Sequence, residues 1–418
     1  MKAVTAVVIG AGHAGLAMSH HLARHGIDHV LLERGEVANA WRNERWDSLH
    51  LLTPNWQTRL PDQAYGGPDP EGFMSVPELV DLLVRYARGL SAPLHTDTKV
   101  KAVWPSDGGY RVVTNRGDWR CRAVVIATGA CQLPVVPAMA AALPPWIKSL
   151  TPHEYRYPEQ LPPGGVLVVG ASATGVQLAD EIQCSGRPVT LAVGQHLRLP
   201  RRYRGRDIQW WLEQAGMLDQ RFDEVEDLAR ARRQPSPQLL GSAEPQDLDL
   251  NTLRERGVRL VGRLAGLAGT RLQFSGSLAM HATAADLKLV RLLDNLDAWA
   301  IAHDWQDALL APEHAAATRV PQRPCLGLDM ASGEIRTVLW ATGFRPDFSW
   351  LDAPVFDARG RLRHEGGIVA PGLYAMGLPY MRRRKSGTIH GADDDARDLS
   401  HHLSGWLATA GRRHDSFA

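Results

Sequence analysis

The chain alternates short, wholly apolar runs with stretches whose apolar positions recur every three to four residues, and this alternation repeats. Val7-Val8-Ile9 runs into Gly10-Ala-Gly12-His-Ala-Gly15, an amphipathic stretch follows, and Val30-Leu31-Leu32 closes the segment. A brief apolar run bounded by glycine predicts a buried strand and a 3.6-residue period predicts a helix. The segment therefore reads as one βαβ unit of about 30 residues. The pattern returns at Leu167-Val168-Val169-Gly170-Ala-Ser172-Ala173-Thr174-Gly175, closed by a strand from Val189 to Val193. A second, independent echo pairs Val124-Val125-Ile126-Ala127-Thr128-Gly129 with Val338-Leu339-Trp340-Ala341-Thr342-Gly343. Each copy is an apolar strand entering a small, glycine-containing turn.

Between these landmarks, Tyr110 to Thr114 turns through Arg116-Gly117-Asp118 toward Val124 and reads as an antiparallel hairpin. Asp207 is placed to cap a short helix with Ile208, Trp211 and Leu212 on one face; Trp211 reads as core and Trp210 as a pocket wall. Residues 230 to 247, rich in Arg, Gln, Pro and Ser, read as a surface loop. Thr283-x-x-Asp286 reads as a capping box opening a long helix whose Leu289, Leu292, Leu293, Leu296, Trp299 and Ala300 form a core stripe. The predicted class is α/β, with two Rossmann-like, three-layer ββα domains. The first spans 1–158 and resumes over 336–418; the second, 159–335, is inserted between its parts.

Composition narrows the partners. The 418 residues are 44% hydrophobic, enough for two such cores, and 47 Lys plus Arg against 45 Asp plus Glu leave a net charge of +2. No chain-wide field draws the protein to nucleic acid or to an anionic membrane. The run Arg382 to Lys385 lacks interleaved aromatics and reads as a surface loop. Cysteines stand only at 121, 131, 184 and 325, none in a Cys-x-x-Cys pair, so no redox dithiol and no metal site are expected. Sparse cysteine, the short apolar run after Met1 and the lack of a long apolar stretch predict a soluble cytoplasmic protein.

The glycine units carry the chemistry. Between a strand and a helix, Gly10 permits the tight turn, Gly12 lets the backbone approach a diphosphate, Gly15 lets helix and strand pack, and the helix N-terminus offers amides to the anion. Glu33 ends the next strand, where an acid accepts ribose hydroxyls. His13 reads as an exposed turn residue. In the second unit the equivalent place is Val193 followed by Gly194, with no carboxylate, and Arg198, Arg201, Arg202, Arg204 and Arg206 follow. A guanidinium there suits a 2′-phosphate, so NADPH is expected over NADH. Ser172 replaces the middle glycine and holds the diphosphate slightly farther off. Two facing units suit hydride transfer from a nicotinamide to a flavin, which assigns FAD to the first and NADPH to the second. Arg34, Val100, Ala127 to Gly129, Gly170 to Gly175 and Ala341 to Gly343 join the cofactor contacts.

With these residues in hand, the chain resembles the class B flavin-containing monooxygenases, which include Baeyer-Villiger and N- or S-oxygenating enzymes. The likeness lies in both glycine units, in Trp41-Arg42 after Glu33, in both Ala-Thr-Gly turns, and in Pro134 and Pro137. The family's fingerprint before the second unit is represented by Ile147-x-Ser149-x-x-x-His153-x-x-x-Tyr157-Pro158; His153 and Tyr157 match, Ile147 and Ser149 do not. The resemblance implies reduction of FAD by NADPH, addition of dioxygen at flavin C4a, and transfer of one oxygen atom to a small substrate. It implies pocket roles for His153, Tyr157, Arg45, Asp47 and, displaced in alignment, Asn55; Arg45 with Asp47 also reads as an ion pair shaping the loop. The segment Gly372 to Gly391 is similar to the part that returns to the flavin, with His390 at the helix start. A homodimer is compatible with this reading. A disulfide reductase shares the first glycine unit but needs a redox-active cysteine pair, which none of the four cysteines resembles; an NADPH oxidase releasing peroxide and a flavin-bound redox sensor stay open.

Overall fold

The computed structural model describes residues 1–242, 246–305 and 308–415. In chain order the elements that position the site are β1 (Lys2–Ile9), α1 (His13–Arg24), β2 (His29–Leu32), β3 (Leu94–His95), β4 (Gly117–Ile126), β5 (Lys148–Leu150), β6 (Gly165–Val169), α2 (Ala173–Cys184), β7 (Val189–Val193), α3 (Ile208–Gln214), β8 (Arg259–Gly262), α4 (Leu278–Ala302), β9 (Ile335–Trp340), β10 (Leu373–Ala375) and α5 (Gly391–Asp415).

Two parallel sheets result. In one, β3, β2, β1, β4 and β10 lie side by side, with Val7 opposite both Val30 and Val124. In the other the order is β8, β7, β6, β9, β5. Central strands buried on both faces read as unbroken apolar runs, and Val7, Val8, Val166 and Val168 are fully buried. The expected α/β architecture is what the chain adopts. The boundaries near 158 and 335 shift, because β5 pairs with β9, and β9 with β6, so 148–150 and 335–340 belong to the second sheet.

The two echoes in the sequence have one physical cause. A Cβ on Gly10 would lie 2.5 Å from the carbonyl oxygen of Ala127, and one on Gly170 would lie 2.3 Å from that of Ala341. Each Ala-Thr-Gly turn thus packs on the first glycine of its own unit, at φ +108° and +112° respectively.

Three segments outside the glycine units depart from expectation. The long helix begins at Leu278, so Thr283 and Asp286 lie inside it, and Asp286 instead accepts from the backbone and hydroxyl of Thr318 at 2.7 and 2.8 Å. Within 230–247, Gln238 is fully buried and donates to the carbonyl of Ala171 at 2.8 Å, in the second glycine turn; 243–245 lie outside the described residues. The run Arg382 to Lys385 is docked rather than free. Arg383 pairs with Asp395 and Asp398, and Lys385, 5% exposed, pairs with Asp219 and Asp394 at 2.6 Å each. Asp207 caps α3 as expected, and Trp211 is core.

Candidate functional site

A cavity of about 430 Å³ opens at the carboxyl ends of β1, β2 and β4. Gly10 and Gly12 form its floor, and a Cβ on Gly12 would meet nothing within 4 Å. The first turn of α1 has no side-chain cap, so its amides face the cavity unpaired. Glu33 is 7% exposed; one carboxylate oxygen accepts from the Ala11 amide at 2.8 Å, the other from Gly35 at 3.2 Å. That leaves the acid fixed with lone pairs to spare for hydroxyl donors. Arg34, Trp41, Val100 and Ala127 to Gly129 also line the cavity. Arg42 does not: its side chain turns to the carbonyl of Val37 and to Glu36.

This wall fits the adenosine diphosphate half of FAD. The Thr128 hydroxyl and the Nε2 of His13 are buried without partners, and both residues line the space. His13 is therefore a wall residue, not an exposed turn; burial pushes its pKa down to about 4 and keeps it neutral. Its place in the first turn of α1 was the available sequence signal.

The expected catalytic residues do not form one cluster. Arg45 lines the cavity with its guanidinium 5.2 Å from the Trp41 ring and donates to the Glu44 carbonyl; it makes no pair with Asp47. His153 stacks on Phe344 at 4.9 Å, beside the second Ala-Thr-Gly turn, and burial lowers its pKa. Tyr157 is 48% exposed, outside the cavity wall. Asn55 is buried; its amide nitrogen donates to the Asp69 carbonyl at 2.9 Å, which leaves Oδ1 an unpartnered acceptor.

Asp47 turns toward α2 of the second unit. There Glu181 is pushed up to about 7 by burial, against a hydrogen bond from Ser48, with the charges of Asp47, Glu159 and Asp180 adding to the rise. A folded pKa above the unfolded value of 4.5 favours the protonated form in the native state, so stability falls as pH rises from 4.5 toward about 7 and then levels. Glu181→Gln, always neutral, is expected to match wild type in Tm near pH 4.5 and to exceed it increasingly up to pH 7. A constant difference across that range would refute the assignment.

A polar group forms around Gln57 and His390, two residues whose shared surroundings the spacing along the chain does not show. Gln57 is fully buried; its amide nitrogen donates to Glu213 of α3 at 3.0 Å, and its Oε1 has no partner. His390 follows Gly387 of the cavity wall by three residues, and Glu213 and Arg59 exert the largest charge effects on it. The Thr388 hydroxyl donates to the Lys385 carbonyl at 2.6 Å, so at 3.2 Å it accepts from His390 Nδ1. Nε2 is then the bare acceptor of a neutral ring, 3% exposed, whose pKa burial pushes down to about 4. NADPH-driven flavin reduction should show no histidine inflection over about pH 5 to 8 that His390→Gln removes. Stopped-flow pH profiles of both proteins check this.

The second unit repeats the cradle. A Cβ on Gly175 would lie 1.9 Å from the Gly170 carbonyl oxygen, as one on Gly15 would from Gly10, and Ser172 ends at the N-cap of α2 without a side-chain bond. Gly194, after Val193, has open space where a Cβ would be. Thr342 donates to the Val135 carbonyl, tying the second turn to the segment after the first. The arginines need correction. Arg198 is held by Asp249 at 2.6 Å and Asp286 at 2.8 Å, Arg201 by Asp207 at 2.6 Å, and Arg204 by Asp297 at 2.9 Å, all buried. Buried guanidinium needs carboxylate partners, and these three have them inside the fold. Arg202 is exposed.

Two dinucleotide cradles joined by a split domain define a two-nucleotide flavoprotein oxidoreductase. A profile described as pyridine nucleotide-disulphide oxidoreductase matches residues 7–226, and the chain belongs to that family. Its members use FAD and NADPH, and this chain is an NAD(P)H-dependent flavoprotein oxidoreductase. It is 30% identical over 401 residues to an uncharacterized CzcO-like oxidoreductase of Geobacillus kaustophilus, covering 95% of this chain and 97% of the relative. Over 209 residues it is 30% identical to the indole-3-pyruvate monooxygenase YUCCA6 of Arabidopsis thaliana, 48% of this chain and 50% of that one. Its fold is similar to a flavin-containing monooxygenase from Stenotrophomonas maltophilia, with TM-score 0.66 and 21% identity over 97% of this chain and all of that one. Among the described residues no helix is long and apolar enough to cross a membrane.

Proposed function

We propose that the chain is an FAD- and NADPH-dependent monooxygenase that transfers one atom of dioxygen to a small organic substrate, by N-, S- or Baeyer-Villiger oxygenation. The observation that carries this reading is the cysteine arrangement. All four cysteines are free, and Cys131 alone lines the cavity. Desolvation raises the pKa of this exposed thiol, away from the thiolate that disulfide exchange requires.

When bound, FAD supplies the hydride acceptor and the centre at which dioxygen is activated. The chain's part is placement. Gly10 to Gly15 and the amides of α1 would hold the diphosphate of FAD, Glu33 would accept from its ribose, and the second cradle would hold the nicotinamide nucleotide. Val193, offering no acid, and exposed Arg202 support NADPH over NADH. Gln57 and His390 give the region beyond Gly387 neutral acceptors in a setting closed to bulk water, which supports oxygen transfer over release of peroxide.

The test is anaerobic reduction by NADPH followed by mixing with oxygen-18, in the presence of an aryl methyl sulfide, a tertiary amine or a cyclic ketone. An absorbance transient distinct from oxidised and reduced flavin, with label in one product, is the expected result. Stoichiometric hydrogen peroxide with all three probes would make the protein an oxidase. Failure of NADPH to reduce the flavin would favour a redox sensor.

A further inference from the structure

A second cavity, of about 1600 Å³, shares no lining residue with the flavin cavity. Its walls come from the turn between strands Val100–Ser106 and Gly109–Thr114, from the segment 353–371, from Arg122 of β4, and from His402 and Trp406 of α5. These walls are fixed by their own contacts. The Tyr110 hydroxyl donates to the Pro371 carbonyl at 2.8 Å, and a Cβ on Gly372 would lie 2.8 Å from the Trp406 ring, so the ring seats on a glycine. Val355, Ile368, Val369 and Pro371 add apolar surface.

The polar part of the lining is cationic and lacks counter-charge. Arg122 spends one N–H on the Leu407 carbonyl at 3.0 Å and lies 5.9 Å from the Trp406 ring; Arg363 spends one on the Pro354 carbonyl at 2.6 Å. A guanidinium has five N–H donors, and neither arginine has a carboxylate partner among the described residues. His364 accepts the Gly367 amide on Nδ1 at 3.3 Å, so its hydrogen is on Nε2. Burial pushes its pKa down to about 4, and the charge of Arg232 adds to the fall. The Nη2 of that arginine is buried without a partner. Against these donors stands one acid in the lining, Glu365.

We infer that this cavity binds a long-chain carboxylate, with the head group on Arg122, Arg363 and His364 and the chain along the apolar walls and Trp406. Charge and shape select that occupant together. A neutral hydrocarbon would cover guanidinium N–H groups and leave them unpaired, which costs more than its apolar contacts return. A cation would meet two arginines. An anion without a tail would leave the apolar walls wet, and the volume exceeds the roughly 300–1,000 Å³ of an ordinary small-molecule site, as a long occupant requires. This site is independent of the reaction proposed above.

Titration calorimetry of the full, FAD-loaded chain tests it, with dodecanoate below its micellar concentration and with dodecanol and acetate as the uncharged and chainless probes. One dodecanoate per chain is expected to bind saturably, dodecanol roughly tenfold more weakly or less, and acetate not at all at the same concentrations. Arg363→Gln and Arg122→Gln should each weaken dodecanoate roughly tenfold and leave dodecanol unchanged. Arg363 is exposed, so its variant keeps the fold, and bound-flavin absorbance and circular dichroism check both proteins. Absence of saturable dodecanoate binding, equal affinity for dodecanoate and dodecanol, indifference to both substitutions, or release of FAD during the titration would each overturn the assignment.

Discussion

Gly12→Val should yield a folded apoprotein that does not retain FAD, whereas Gly15→Ala should damage the fold itself. Both belong to one motif, but their surroundings differ. At Gly12 the backbone is extended, with φ −83° and ψ −177°, and a Cβ would project into open cavity. Valine is tolerated by the fold and its branches occupy the space a diphosphate needs. A steric cost of about 3 kcal/mol, near a hundredfold in Kd, is expected for FAD. At Gly15 the added Cβ would sit 1.9 Å from the Gly10 carbonyl oxygen, which belongs to backbone and cannot swing aside. The first turn of α1 must then lift off β1, at about 3 kcal/mol or more against a total stability of about 5–15 kcal/mol. Thermal melts of the apoproteins, with FAD titration by fluorescence quenching, separate the two effects. Equal melting losses in both variants would show that Gly12 too is held by packing.

The contrast explains what could be read from sequence. Strand, glycine turn and helix are local, so Gly10, Gly12, Gly15, Glu33 and the repeat at 170–175 were legible from spacing alone, as was the core stripe of α4. The pocket beyond the cradle was not. Gln57 donates to Glu213 of α3, and the charge of the same Glu213 acts on His390, so the group depends on three segments distant in sequence whose association spacing does not show. His13 reads from sequence as an exposed turn residue because burial of one turn residue depends on the distant wall that covers it. Asp286 shows how a good local motif yields to tertiary demand: a capping residue by pattern, it stands inside the helix as a partner for Arg198.

Arg198→Leu should therefore destabilise the protein strongly and leave its choice between NADPH and NADH untouched. The guanidinium is 8% exposed and holds Asp249 at 2.6 Å, Asp286 at 2.8 Å and the Ala316 carbonyl at 2.7 Å. It joins the segment after β7 to the start of a short helix at Leu250 and to α4. Leucine is large enough to avoid a void but supplies no donor, so two carboxylates lose their common cation. Removing one member of a buried ion pair costs about 3–5 kcal/mol, because the groups left behind are uncompensated. A residue serving the 2′-phosphate would behave otherwise: NADPH affinity would fall, NADH affinity would not, and stability would barely change. Melting curves together with Kd values for both nucleotides on the folded fraction distinguish the cases. A wild-type melting temperature combined with a selective loss of NADPH would place Arg198 back at the nucleotide; a large melting loss with an unchanged nucleotide ratio leaves exposed Arg202 as the arginine to vary next.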